Sequence, residues 1–237
     1  MSLLSTVLSL AAAGSMMVSS TLNAAAPQHN PEGPVFLVNR QWMITEAYTP
    51  PDLVQAEVPG SVRRMREEAA AALEEMFAVC KEETGMTLIS VSGFRSYSTQ
   101  NNIYQHKLQS VRGNVEKAQE YVAPPGASEH QLGLAMDIGQ KNKPHLNDTF
   151  GETVGGQWTR ENCWRFGFIL RYDRGWEAIT GYNYESWHFR YVGKDLAREI
   201  HEANVPLETW LPEYRVRQIR SLLEGEQTNV GEEKNQP

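Results

Sequence analysis

The chain has 237 residues, 41% hydrophobic, 22% charged and 9% aromatic. That is the make-up of a folded globular protein and excludes a collagen, a coiled coil or a wholly disordered chain. Lys and Arg number 22 against 29 Asp and Glu, and the resulting net charge of −7 argues against a protein that grips phosphate backbones, so nucleic acid is excluded as the expected partner. The length suffices for one domain with a filled core and no need of disulfide staples.

In chain order, the first charged residue is Glu32, and the stretch from Leu3 to Ala13 is apolar and leads to Ala24-Ala25-Ala26. This reads as a secretory signal peptide over 1–26, although no Lys or Arg precedes the apolar run. Its removal leaves an exported chain with no stable membrane span. Residues 27–60 read as an extended arm anchored by Phe36-Leu37-Val38 and Trp42-Met43-Ile44. Apolar positions Val62, Met65, Ala69, Leu73, Met76, Phe77 and Cys80 recur at three- and four-residue steps, which predicts an amphipathic helix over 61–83, ended by Gly85. Thr87 to Val91 predicts a short strand, Ser98 the cap of a helix to about Gln109, and Val115 to Val122 a further helix. Pro124-Pro125-Gly126 marks a loop. Residues 140–156 read as a polar surface insertion, 158–166 as helix, 168–172 and 184–192 as strands, and 194–203 and 207–223 as helices. The acidic tail 224–237 is expected to be disordered. The domain proper is thus 61–223. Cys80 and Cys163 both have apolar helical neighbours, so two buried free thiols are favoured over a bridge; neither lies in a CxxC, which leaves a cysteine zinc site improbable.

The chemistry concentrates in two segments. A zinc hydrolase needs imidazole or carboxylate ligands, an open position for water, and a separate carboxylate to accept a proton. His130 and Asp137 are seven apart across Gly133, so a bend must bring them together. His188 follows Glu185 by three, and because residues three apart on a strand face opposite ways, a turn near Ser186 is required if both serve one metal. His29, His106, His145 and His201 lack such context and read as surface residues, and the aromatics Tyr182, Tyr184, Phe189 and Tyr191 read as packing.

The segments Ser92-Gly93-Phe94-Arg95-Ser96, Ser128-Glu129-His130-Gln131-Leu132-Gly133-Leu134-Ala135-Met136-Asp137 and Glu185-Ser186-Trp187-His188, in that order, resemble the VanY-type D-alanyl-D-alanine carboxypeptidases, zinc peptidases that share a fold with D-Ala-D-Ala dipeptidases and the hedgehog signalling domain. The pattern SxHxxGxAxD is met by Ser128, His130, Gly133, Ala135 and Asp137, and ExWH by Glu185, Trp187 and His188. Asp173, Trp176 and Ser186 depart from the family's Pro, Lys and Pro. The resemblance covers about Ser61 to Asn204. It implies an α+β fold, with a small, mainly antiparallel sheet flanked by helices. It also implies that His130, Asp137 and His188 bind Zn2+, that Glu185 is the general base, and that Arg95 stabilises the oxyanion. Gln100 and Ser128 would hold the peptide's terminal carboxylate and Trp187 would wall the pocket. The implied substrates are peptidoglycan stem peptides ending in D-Ala-D-Ala. An L,D-carboxypeptidase, an L-alanyl-D-glutamate endopeptidase and a non-catalytic envelope binding module are the alternatives.

Overall fold

The computed structural model describes residues 33–142 and 148–233; the signal-peptide reading, His29 and His145 fall outside them. The strands are β1 (Leu53–Gln55), β2 (Arg64–Arg66), β3 (Leu88–Ser92), β4 (Ala135–Gln140), β5 (Phe168–Leu170) and β6 (His188–Tyr191). The helices are α1 (Glu67–Thr84), α2 (Tyr97–Ser110), α3 (Val115–Gln119), α4 (Val154–Asn162), α5 (Glu177–Thr180), α6 (Lys194–Ala203) and α7 (Leu207–Glu233). Short 3-10 turns sit at Glu129–Leu132, Asp148–Glu152 and Cys163–Phe166. β1 and β2 form a hairpin-like pair, and the other four strands form one antiparallel sheet in the order β3-β4-β6-β5. The α+β architecture expected from the sequence is the one found.

Helix α1 begins at Glu67 and not near Ser61, because Arg64–Arg66 pair with Leu53–Gln55 as a strand before the helix starts. It ends as its glycine predicts: Gly85 takes φ 73° and its N–H closes on the Lys81 carbonyl, a left-handed cap that a side chain would strain. Its apolar stripe delivers Leu73, Met76 and Cys80 fully buried into the main core, beside Leu88, Met136, Ile138 and Phe189 from the sheet. A residue enclosed like Leu73 resists truncation to Ala by roughly 2–5 kcal/mol. Both cysteines are buried and free, and burial pushes the Cys163 thiol up to about 12, so it is inert at neutral pH.

Three other expectations shift. Helix α2 is capped by Ser96, whose hydroxyl accepts from Thr99 N–H, two residues earlier than the Ser98 cap predicted. The 140–156 stretch is not all surface, since Phe150 is fully buried and Thr153 caps α4. Its glycines serve that turn: a Cβ on Gly156 would lie 1.9 Å from the Phe150 carbonyl oxygen. The α7 backbone runs on to Glu233, beyond 223, and its first turns bury Leu207, Trp210 and Leu211 against α6 and Ile169 in a second cluster.

The arm is anchored less evenly than its apolar residues suggested. Phe36, Leu37, Val38 and Ile44 are buried, whereas Trp42 and Met43 are 44% and 52% exposed. Polar bonds complete the attachment: Arg190 donates to the Pro34 and Phe36 carbonyls, and Gln131 donates to those of Thr45 and Tyr48.

Candidate active site

The two ligand segments are brought together by sheet register. β4 and β6 pair so that Asp137 stands directly opposite His188, and side chains opposite each other on neighbouring strands share a face. Period-two alternation then sends Met136 and Ile138 into the core while Asp137 faces the site. His130 enters from the turn Glu129–Leu132, and Gly133 in the left-handed region, φ 67°, reverses the chain into β4. This is the bend that the spacing of His130 and Asp137 demanded. The SGFRS segment docks behind it: His130 Nδ1 lies 2.8 Å from the Gly93 carbonyl, and Arg95 N–H donates to the His130 carbonyl at 3.1 Å. Gly93 also passes close to β2, where a Cβ would lie 2.5 Å from the Arg64 carbonyl oxygen.

Glu185 reaches the same point by the turn expected near Ser186. Ser186 and Trp187 form a turn, His188 N–H bonds the Glu185 carbonyl, and Glu185 N–H bonds the Tyr172 carbonyl. Glu185 Oε2 is thereby 3.9 Å from His188 Nδ1.

One ligand atom each from His130, Asp137 and His188 lies within 4.8 Å of the others, all buried. His130 Nε2 and His188 Nδ1 are 3.3 and 3.0 Å from Asp137 Oδ1. His130 Nε2 is a buried nitrogen with no hydrogen-bond partner, which is the condition of a ligand atom awaiting a cation. Two imidazoles and a carboxylate with a fourth side open suit zinc. The nitrogens turned away from this point are also satisfied, His130 Nδ1 by the Gly93 carbonyl and His188 Nε2 by Glu129 Oε2 at 3.3 Å, which fixes each ring's orientation.

Electrostatics follow from this packing. Burial, with Arg95 nearby, drops His130 to about 4, so it is neutral at pH 7. Burial opposes the charged form of His188 too, but its bonds to Asp137 and Glu129 outweigh that and raise it to about 9 in the metal-free protein. Burial pushes Asp137 upward, and the two histidines more than reverse this, holding it far below the usual carboxylate range. Glu185 is 6% exposed and burial lifts it to about 8, a value close to working pH and suited to taking and returning a proton.

Residues that the sequence reading passed over complete the site. Glu129 is fully enclosed and accepts from Arg171 Nε at 2.8 Å and Arg190 Nη1 at 2.9 Å as well as from His188; Arg171 also makes two bonds to Glu208 of α7. Tyr172 packs its ring 4.9 Å from that of His188 and 4.8 Å from that of Tyr182. Tyr182, expected to be packing, instead lines the cleft with Arg95, Gln100, Ser128 and Glu185. Trp187 does not: the 186–187 turn carries it into the main core, so its expected place as a pocket wall goes to the two tyrosines. Gln100 is buried and spends its amide on the Ala123 carbonyl, leaving Oε1 without a partner, and Arg95 Nε and the Tyr182 hydroxyl are likewise orphaned. The one available signal for Glu129 was its position beside His130.

Residues 62–194 match the family model described as VanY: D-alanyl-D-alanine carboxypeptidase. The Bacillus subtilis (strain 168) protein named "Putative carboxypeptidase YodJ" is 45% identical over 188 residues, 76% of this chain and 68% of that one. Among solved structures, the LdcB LD-carboxypeptidase is 44% identical with a TM-score of 0.71, covering 78% of this chain and 86% of its own. The VanY D,D-pentapeptidase of a VanB-type resistance cassette, in complex with Zn(II), is 34% identical with a TM-score of 0.64, covering 75% and 98%. With the ligand geometry above, these matches place the chain in the VanY D-alanyl-D-alanine carboxypeptidase family, as a zinc metallopeptidase.

Proposed function

We propose that the protein removes one terminal D-Ala from peptidoglycan stem peptides in the cell envelope. The observation that carries this is the lining of the small cleft, where Tyr172, Tyr182 and residues 121–123 stand around Arg95 and Ser128 beside the ligands. Such a space suits one small residue with a free carboxylate beyond the scissile bond. The apolar stretch in 1–26 supports an exported protein, which would meet this substrate outside the cytoplasm.

His130, Asp137 and His188 would hold the zinc, which when bound would supply Lewis acidity for the scissile carbonyl and for an attacking water. The side chains supply the rest. Glu185 accepts the water's proton and passes it to the amine of the departing D-Ala. The guanidinium of Arg95, permanently charged, offsets the negative charge that develops on the carbonyl oxygen. Ser128 and the orphaned Tyr182 hydroxyl offer donors to the terminal carboxylate. Gln100 Oε1 is an acceptor, better matched to a substrate N–H than to the carboxylate expected from the sequence.

Two cuts fit this arrangement. The greater identity to LdcB supports the L,D cut, which trims a tetrapeptide; the family description supports the D,D cut, which trims a pentapeptide ending in D-Ala-D-Ala. Measuring kcat/KM on both peptides separates them. The L,D reading expects the tetrapeptide to lead by tenfold or more, about 1.4 kcal/mol in transition-state binding; a pentapeptide lead of that size would replace it with the D,D reading.

A further inference from the structure

The arm carries a guanidinium, that of Arg40, which packs on the cleft residue Tyr182 and to which the sequence reading gave no role. Asn39 and Trp42 close a turn, the Asn39 side chain accepting from the N–H groups of Gln41 and Trp42 and the Asn39 N–H bonding the Trp42 carbonyl. This turn is pinned on both sides, by Val38 at 0% exposure and by Ile44, whose N–H bonds the Gly126 carbonyl. Arg40 is thus presented from a fixed point. Its guanidinium lies over the Tyr182 ring, 4.6 Å from the centroid, while Nη2 donates to the Gly181 carbonyl and Nη1 to Gln119 Oε1 at 3.4 Å. Gln119 continues the chain of bonds to the Tyr104 hydroxyl on α2, the helix that carries Gln100. Beside this junction Asn183 N–H bonds the Glu120 carbonyl.

We propose that Arg40 is a positioning residue for the substrate cleft, stapling the 180–185 segment to the 119–123 segment and holding the Tyr182 ring where it bounds the space for the terminal residue. Both of the segments that Arg40 joins contribute lining residues to the cleft. One planar group joins them here with a cation–π contact and two directed hydrogen bonds, a combination that Lys cannot reproduce. The stapled segments carry Tyr182 and Glu185 on one side and Tyr121 to Ala123 on the other, so the consequence falls on substrate binding. The metal ligands, held by β4, β6 and the Glu129 turn, stay in place. The inference rests on reading this cleft as the peptidase site.

The test has two arms, both on the full zinc-loaded protein. In the first, amide hydrogen exchange is compared in wild type, Arg40→Ala and Arg40→Lys. Arg40→Ala is expected to speed exchange in 119–123 and 181–185 by about tenfold or more while β4 and β6 keep their protection. Arg40→Lys should fall between. In the second, steady-state kinetics on the peptide that wild type cleaves better should show KM raised about tenfold in Arg40→Ala with kcat within about threefold. In a Tyr182→Ala background the same substitution should add little, because the two act as one unit. Unchanged exchange in both segments overturns the proposal, as does a loss confined to kcat or an effect fully additive with Tyr182→Ala. If wild type cleaves neither peptide, the substrate reading falls, and the exchange arm still decides the role of Arg40.

Discussion

The two sides of the metal-ligand triad treat polar groups in opposite ways. Behind it, Glu129, Arg171, Arg190 and Glu208 satisfy one another and His188 through bonds of 2.6–3.3 Å. In front of it, Arg95 Nε, Gln100 Oε1 and the Tyr182 hydroxyl are buried with no partner. Both sides use the same kinds of residue, and an unpaired buried polar atom costs roughly 1–3 kcal/mol. A fold retains such atoms where something else completes them, so the rear network holds the ligands and the front groups await the substrate. Partnership, more than residue type, separates structural charge from working charge in this cleft.

A pair of substitutions tests that division. Arg95→Met, on the open side, should lower kcat by about 100- to 1000-fold, the effect of removing a preorganised oxyanion donor, and leave zinc affinity near wild type by equilibrium dialysis. Glu129→Gln, on the closed side, should act in reverse order of size, weakening zinc affinity by about 10- to 100-fold through the loss of the charged partner of His188. It should also lower stability, because two buried guanidinium groups lose part of their countercharge. If Arg95→Met weakened zinc as much as Glu129→Gln did, the two sides would not be separate.

A smaller and graded effect concerns pH. His188 in the metal-free protein is raised to about 9, above its unfolded value near 6.5. Its protonated form therefore stabilises the metal-free fold fully below about pH 6.5, and this contribution is lost as pH rises through about 9. Zinc must displace that proton, whereas His130, lowered to about 4, is already neutral. Zinc affinity should thus climb by up to about tenfold per pH unit from about pH 6.5, levelling off as pH approaches 9, as titration calorimetry in buffers of different ionisation heat would register. A flat profile would mean that His188 is not held protonated by Asp137 and Glu129.

The sequence made the front of the site more legible than the back. His130, Asp137, Glu185, His188 and Arg95 sit in short segments whose residue types and order carry chemistry, and the bends at Gly133 and Ser186 followed from strand and helix periodicity alone. The rear network was hidden because its members come from separate elements: Glu129 from a turn, Arg171 after β5, Arg190 in β6, Glu208 in α7. A buried Arg in a strand looks like an exposed one until the partner strand is placed. Trp187 misled for a related reason, since its motif position said nothing of which side of the 186–187 turn it would occupy. Helix α1 was readable from its apolar steps, whereas β1 and β2, three residues each, are too short to show a period and were absorbed into the arm and the first helix.

The measurement that bears most directly on this account is mass spectrometry of the products from stem tetrapeptide and pentapeptide, with zinc-loaded, chelator-stripped and zinc-loaded Glu185→Gln protein side by side. The account predicts loss of a single alanine in the zinc-loaded wild type, none in the stripped protein, and a rate reduced about 1000-fold or more in Glu185→Gln with zinc still bound. Release of alanine by the stripped protein, or at an undiminished rate by Glu185→Gln, would contradict it.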